Sequence, residues 1–509
     1  MLNSLPAPLR KAIVSRWFPG VLLTLTLGTL YWLSAVTRVG GGDWGQFQTF
    51  GYMGGIAHPP GYPLIIGSTY LATRVIRFAE PAHVANIVGA TYAVAAGVAL
   101  FYLGWLLTQS RVAALLATVV FVTGYSIWAE AAQVGFVSVQ TLLVFLLIAA
   151  LSAYDDRPSR FRLLAVAFAT GLSLTNHGIS IFMLPATAVF VASRRFPGIA
   201  RPGVLARAAA AFTLGLTPWL HVLRGLVVPV PIDRPENLTR LGLIDLRRQV
   251  IDRSLAKESQ SIASDQFLES GRQKLIAEWP SFTHDTLREY GWVWIAPALL
   301  GWLILARQRP RLAAWIALTG AATLWFSLVT PPLLNSDRYF SVIYALLAVC
   351  LAVTIGWAAH AARQLADTYA PERMKIAALA ISLILLVAAG LRIHQQLTGP
   401  ARINVVRLRE NAEEQAEIGL GIVRHMEPGG VYFTNWTSSW YTRYARHVLG
   451  VDRGLRIETV DYGSMGFARA NQVLASGRRL YLQRSTPEYE AAFDLEKRAG
   501  VFYEVLPRT

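Results

Sequence analysis

What most constrains this chain is a succession of apolar runs, most of about 17–22 residues, a length that as helix crosses a hydrocarbon core of roughly 30 Å. They fall near 18–37, 84–107, 112–129, 137–154, 161–175, 178–193, 204–224, 290–306, 311–330, 339–359 and 375–394. Lipid offers no partner to a backbone amide, so such runs fold as helices. Across the 509 residues, 54% are hydrophobic and 15% charged, against roughly a quarter charged in soluble domains. The chain therefore reads as a polytopic helical membrane protein. Its net charge of +16 needs no nucleic acid to explain it. Arginine in short loops follows the positive-inside rule, and anionic headgroups attract the same charges. The single cysteine, Cys350, lies inside an apolar run, so no intrachain disulfide forms.

Charge sets the expected topology. The basic clusters are Arg111; Arg157, Arg160 and Arg162; Arg194, Arg195, Arg201 and Arg207; Arg307, Arg309 and Arg311; and Arg363, Arg373 and Lys375. Placing all of them in the cytoplasm makes the spans alternate without conflict, provided that 62–80 does not cross. Arg74 and Arg77 suit that segment to the outer interface as an amphipathic helix. The first run follows Arg10, Lys11 and Arg16 and exceeds a signal-peptide core of roughly 7–15 residues, so it reads as a retained anchor. The expectation is about eleven spans in the cell inner (plasma) membrane, N-terminus cytoplasmic and C-terminal domain extracytoplasmic. Residues 1–394 form the membrane domain, with a first outer loop at 38–83 and a second at 225–289, where Ile244–Leu255 is helix-like. From 395 to 509 the composition becomes that of a soluble domain. Short β-rich runs (430–433, 455–460, 479–482, 501–505) alternate with helical stretches (403–425, 438–449, 464–476, 487–498). That alternation predicts a small α/β domain with a largely parallel sheet. No G-x-G-x-x-G fingerprint opens any of its helices, so nucleotide binding has no support there.

This topology, built without reference to them, gathers Asp43, His58, Glu130, Gln133, Asn176, His177, Asp233, Arg234, Asp337 and Arg338 at the extracytoplasmic face. Ionisable groups near membrane depth are costly and usually face a cavity or a partner. Asp43 follows Gly41-Gly42, which lets the backbone turn sharply off the first helix. Its carboxylate can act as a general base on a hydroxyl, or more plainly cap a helix. His58-Pro59-Pro60-Gly61 beside it favours the base. No metal is expected, because Asp43, His58 and His177 lack a ligand spacing such as H-x-x-x-H. Trp436, Trp440, Tyr441 and Tyr444 form an aromatic cluster at helical spacing, suited to core packing, to membrane contact or to stacking on sugars.

An acidic residue after the first span, an amphipathic stretch and Ala57-His58-Pro59-Pro60-Gly61-Tyr62-Pro63-Leu64 together resemble the first outer loop of GT-C membrane glycosyltransferases. Within them the chain is most similar to protein O-mannosyltransferases and a related bacterial family with an A-H-P-P-G-Y-P-L signature. Gly171-Leu172-Ser173-Leu174-Thr175-Asn176-His177 resembles a second landmark, and Pro331-Pro332 to Asp337-Arg338-Tyr339-Phe340 a third. Val431-Tyr432-Phe433-Thr434-Asn435-Trp436 is similar to the entry of the family's soluble domain. The resemblance implies sugar transfer from a polyprenyl-phosphate donor to an acceptor hydroxyl of a protein, lipid or glycan, with inversion and without a cofactor. It implies Asp43 and His58 as catalytic, and Glu130, Asn176, His177, Arg234, Asp337 and Arg338 as substrate-binding, with Arg338 first, then Arg234 and His177, as the cation for the donor phosphate. The plainer alternative for Arg338 is a snorkelling helix-end arginine paired with Asp337. Two departures stand out. The family's glutamate near position 135 is replaced by Gly135, with Glu130 the only carboxylate nearby, and an arginine expected near 84 is replaced by His83-Val84. Competing readings are a transporter or flippase of a lipid-linked or anionic solute, and a non-catalytic assembly protein. Transporter sites usually lie at the midplane on paired repeats. The polar residues here lie at span ends, and no repeat is visible.

Overall fold

The computed structural model describes residues 17–58, 60–227, 265–329, 336–369, 387–388, 390–451, 453–460 and 464–506. The first helix, α1 (Phe18–Ser34), is followed by two short helices, α2 (Gly42–Met53) and α3 (Pro63–Val75). At 13 residues α3 is about 20 Å long, shorter than a hydrocarbon core of roughly 30 Å. The bundle continues with α4 (Pro81–Thr108), α5 (Arg111–Val122), α6 (Tyr125–Ala131), α7 (Phe136–Asp156), α8 (Arg160–Ser173), α9 (Met183–Ser193), α10 (Pro202–Gly215) and α11 (Trp219–Val227). After the undescribed stretch come α12 (Asp265–Tyr290), α13 (Trp292–Gln308), α14 (Pro310–Val329) and α15 (Ser341–Tyr369). Their apolar faces form one continuous core, in which α4 packs against α1, α5 and α7, and α15 against α5 and α13.

Among the described residues, four helices are long and apolar enough to cross a membrane: Pro81–Thr108, Phe136–Asp156, Pro310–Leu328 and Arg338–Gln364. Two bent pairs add candidates, α5 with α6 at 73° and Leu275–Tyr290 with α13 at 99°, while Phe18–Ser34 and Gly178–Ser193 are shorter apolar helices. Several expected runs are therefore broken helices. The run at 112–129 breaks at Gly124, where a Cβ would stand 1.8 Å from the Glu289 carboxylate. That carboxylate accepts from the Ser126 and Ile127 amides (2.7 and 3.4 Å) and caps α6. The run at 204–224 breaks before Pro218, whose ring disfavours a helical predecessor. The expected span at 375–394 and the helix at Ile244–Leu255 lie wholly or largely outside the described residues.

The C-terminal region adds a helix, α16 (Pro400–His425), and a five-stranded sheet in the order β2-β1-β3-β5-β4. Strand β1 (Val431–Thr434) is an interior strand and fully buried, with β2 (Arg456–Thr459) and β3 (Leu480–Leu482) parallel on either side. Its side chains alternate between two cores: Tyr432 packs with Ile457 and Tyr444 on one face, Val431 and Phe433 with Tyr489 on the other. The helices here are α17 (Trp436–His447), α18 (Ser464–Ala475) and α19 (Pro487–Ala492). The sheet corrects two expectations. The stretch 487–498 is a short helix followed by β4 (Asp494–Arg498), and β4 and β5 (Phe502–Leu506) pair antiparallel, which makes the sheet mixed.

This region is seated on the membrane part through α17, which packs against α2. A polar node locks the seam. The Tyr444 hydroxyl accepts from the Ala82 amide (2.9 Å) and donates to Glu80 (3.1 Å), whose other oxygen lies 3.6 Å from Arg38. Burial raises the Glu80 carboxyl above its ordinary value, against the lowering pull of Tyr444 and Arg38. A carboxyl raised in the fold stabilises it most when protonated, so its contribution is full below about 4.5 and is lost as pH rises through the higher native value. Glu80→Gln is thus expected to flatten the pH dependence of unfolding above about pH 4.5, measured by thermal melts in detergent across a pH series.

Candidate functional site

The site begins with the turn that leads into α2. The Asn86 side chain, fully buried on α4, donates to the Val36 carbonyl (2.7 Å) and accepts from Gln48 Nε2 (3.0 Å) and the Val134 amide (2.9 Å). Gln48 in turn accepts from the Gly40 amide (2.9 Å). These bonds hold the end of α1, the 36–42 turn and the 132–135 loop as one unit. Gly42 enters α2 at φ +59°, a conformation that favours glycine, and Asp43 stands in the first turn of the helix.

Around Asp43 the structure brings together residues distant in sequence. Its Oδ2 lies 3.3 Å from Arg338 Nη1 and its Oδ1 3.9 Å from His58 Nδ1. Arg338 Nε sits 2.9 Å from Glu130 Oε1, so the guanidinium is clasped between two carboxylates. It also lies over the Trp44 and Phe136 rings, at 5.2 and 5.0 Å. The three groups differ in access: Asp43 is 28% exposed, whereas Arg338 and Glu130 are 8% and 6% exposed. A buried ion pair thus backs a carboxylate that still reaches solvent. Arg338, the residue expected to grip phosphate, pairs here with Asp43 and Glu130, since burial in this pocket demands an opposite charge, and its Nη2 makes no hydrogen bond among the described residues.

His58 is held by its own loop. Gln46 Oε1 accepts from both its backbone amide (3.2 Å) and Nδ1 (2.5 Å), which leaves Nε2 as the acceptor from the Tyr62 hydroxyl (3.1 Å). Tyr62 sits at φ +47°, strained for a non-glycine residue and typical of a residue held for function. Tyr62 is the N-cap residue of α3, and Pro63 begins that helix immediately afterwards.

The Asn-His landmark divides into two roles. Asn176 is fully buried and donates to the Phe136 carbonyl (3.0 Å) and Gln140 (3.1 Å), so it staples the break after α8 to the start of α7, a layer behind the site. His177 stacks on Phe136 (4.3 Å between centroids) and approaches Tyr62 and Tyr339 (5.7 and 5.6 Å). Its Nδ1 accepts from the Ile179 amide, an N-cap that fixes the ring. Arg234 lies outside the described residues, as does the Asp337 side chain. His83, at the expected arginine, bonds the Val36 carbonyl (3.1 Å) and serves the backbone turn.

Sequence reasoning missed Trp44, Gln46, Tyr62 and Tyr339 as members of the site. Of the C-terminal aromatic cluster, Trp440, Tyr441 and Tyr444 are core residues, but Trp436 turns its edge to His58 at 6.0 Å. Gly135 acquires a physical meaning. A Cβ there would stand 3.0 Å from Glu130 Oε2 and 3.6 Å from Arg338 Nη2, so Glu130 reaches into the space that a side chain at 135 would enter. Gly135→Ala is allowed by its extended backbone (φ −161°) but crowds this pair. If displacing the Arg338–Glu130 pair raises the transfer barrier by about 1 kcal/mol, turnover falls roughly fivefold. Steady-state kinetics beside an unchanged melting temperature would separate this from unfolding.

A family model described as the N-terminal domain of protein O-mannosyl-transferase TMEM260 matches residues 43–199, the stretch that carries Asp43, His58, Glu130 and His177. The chain is 27% identical to mouse protein O-mannosyl-transferase TMEM260 over 207 residues, 40% of this chain and 29% of that protein. It thus spans less than a third of the curated relative's length. Its fold is similar to ArnT from Cupriavidus metallidurans in the apo state (TM-score 0.54, 13% identity, 95% of this chain and 97% of that one). The structure of the same ArnT bound to undecaprenyl phosphate is similar too (TM-score 0.52, 13% identity, 96% and 98%). The helical bundle with its C-terminal sheet region is therefore a GT-C fold, of the ArnT-like kind, in a membrane protein.

Proposed function

We propose that this GT-C-type chain is a glycosyltransferase that moves a sugar from a polyprenyl-phosphate donor to an acceptor hydroxyl at the extracytoplasmic membrane face. The observation that carries the reading is the partly exposed Asp43 carboxylate, backed by the buried Arg338–Glu130 pair and flanked by His58. Its support from likeness is the TMEM260 match over 43–199, together with the ArnT-like fold, seen in one relative with undecaprenyl phosphate. The membrane is the cell inner membrane, with the N-terminus cytoplasmic, residues 395–509 outside, and a protein, lipid or glycan as acceptor.

In this scheme Asp43 takes the proton of the acceptor hydroxyl as its oxygen attacks the anomeric carbon. The bond from that carbon to the phosphate oxygen breaks with its electron pair, and polyprenyl phosphate leaves on the opposite face, inverting the configuration. The leaving group is already an anion at neutral pH, so it needs charge stabilisation more than a proton. Arg234 is the proposed cation for it. Arg338 and Glu130 position Asp43, and His58 with Tyr62 and Trp436 shapes the acceptor side. The test is to incubate purified protein with polyprenyl-phosphate sugars and a hydroxyl acceptor and to measure released polyprenyl phosphate. Turnover that depends on the sugar-charged donor is expected. Folded protein inert toward every donor would overturn the reading.

A further inference from the structure

Away from Asp43, a cavity of about 460 Å³ opens where the 99° bend between α12 and α13 meets the start of α6 and the chain leading into α16. Its polar lining includes Tyr125, Arg288, Tyr290, Arg392, Gln395 and Gln396, and among the described residues no carboxylate lines it. The nearest acids face elsewhere. Glu289 spends its carboxylate on the Ser126 and Ile127 amides, and Asp285 pairs with Arg288 from outside the cavity (3.1 Å). The Arg288 guanidinium lies flat on the Tyr125 ring at 4.0 Å. Arg392 is only 7% exposed, donates to the Glu289 carbonyl through Nη2, and faces the Gln396 amide, whose oxygen can accept from Nη1 and Nη2 (2.5 and 3.1 Å). Two arginines on one cavity wall without a lining carboxylate favour an anion there. The same cavity is lined by Val293 and Leu391, and these are 71% and 63% exposed, so one side of it is greasy and outward-facing.

We infer that this cavity binds the phosphate headgroup of a membrane lipid, with Arg392 and Arg288 on the phosphate and the acyl or prenyl chain running out over Val293 and Leu391. The volume suits a headgroup and its first methylenes. The amphiphile's two ends match the two linings, whereas a free anion would leave the apolar side unused. The inference is independent of the sugar-transfer reading, since none of the residues lining the cavity belongs to the Asp43 site. It also has a route to that site: Glu289, next to Arg288, caps α6, which carries Glu130 toward Arg338.

The experiment places the full-length protein in nanodiscs of phosphatidylcholine alone, of equal parts phosphatidylcholine and phosphatidylglycerol, or of phosphatidylcholine with undecaprenyl phosphate. Lipid retained after release into the gas phase is counted by native mass spectrometry. A phosphomonoester or anionic diester lipid should be retained about tenfold over phosphatidylcholine, a preference of about 1.4 kcal/mol. Arg392→Gln should remove the preference. Gln395→Trp, at an exposed position that leaves both arginines in place, should remove it by filling the cavity, and it decides the matter if Arg392→Gln does not fold. Retention of phosphatidylglycerol names a bulk phospholipid, and retention of undecaprenyl phosphate alone names the prenyl lipid. Equal retention of phosphatidylcholine, or a preference untouched by the folded variants, overturns the site.

Discussion

Asp43→Asn is expected to leave a folded protein whose transfer rate falls by roughly 10²–10⁴, the usual worth of a positioned general base. The substitution is nearly isosteric, and Asp43 is partly exposed in the first turn of α2, so little packing is lost. What disappears is the proton acceptor. The signature is a collapse of kcat with KM for the donor little changed, since the donor is held by other groups. Retention of wild-type turnover by Asp43→Asn would remove the base from the scheme and, with it, the mechanism.

The largest stability effect belongs to Arg338. Replacing it with Gln strands the buried Glu130 carboxylate and removes the cation that faces Asp43, an arrangement whose loss costs about 3–5 kcal/mol. The cost should be shared, not additive. Glu130→Gln with Arg338→Gln removes both charges, so the double variant is expected to be more stable than the Arg338 single variant, with a coupling of roughly 0.5–3 kcal/mol. Denaturant or thermal melts of the four proteins in one detergent measure that cycle. Strict additivity would mean that the pair does not act as a unit.

These effects also show what a sequence can and cannot reveal. Asp43 and His58 are legible because local chemistry marks them: paired glycines free the turn, and consecutive prolines stiffen the loop, each within a few residues of the group concerned. Arg338 is legible as a residue but not in its role, because its partners Asp43 and Glu130 approach only through the bundle. The same holds for the Gln48–Asn86 bond that sets the Asp43 turn; nothing in either local segment announces it. The membrane helices are visible as apolar runs, yet their breaks are set by tertiary neighbours such as Glu289 against Gly124. In the sheet region, β1 and β3 are apolar and easily read, whereas Asp494–Arg498 is mostly exposed and polar. An edge strand of that kind has only its pairing with β5 to define it, so its sequence looks like the tail of the preceding helix.

The seating of α17 on α2 has a consequence for biogenesis. A ribosome emits Asp43 long before Trp436 and the helix that packs on α2. Until that later segment has docked, the nascent protein holds its carboxylate in an unfinished setting. Assembly order would then decide when the surroundings of the aspartate are complete.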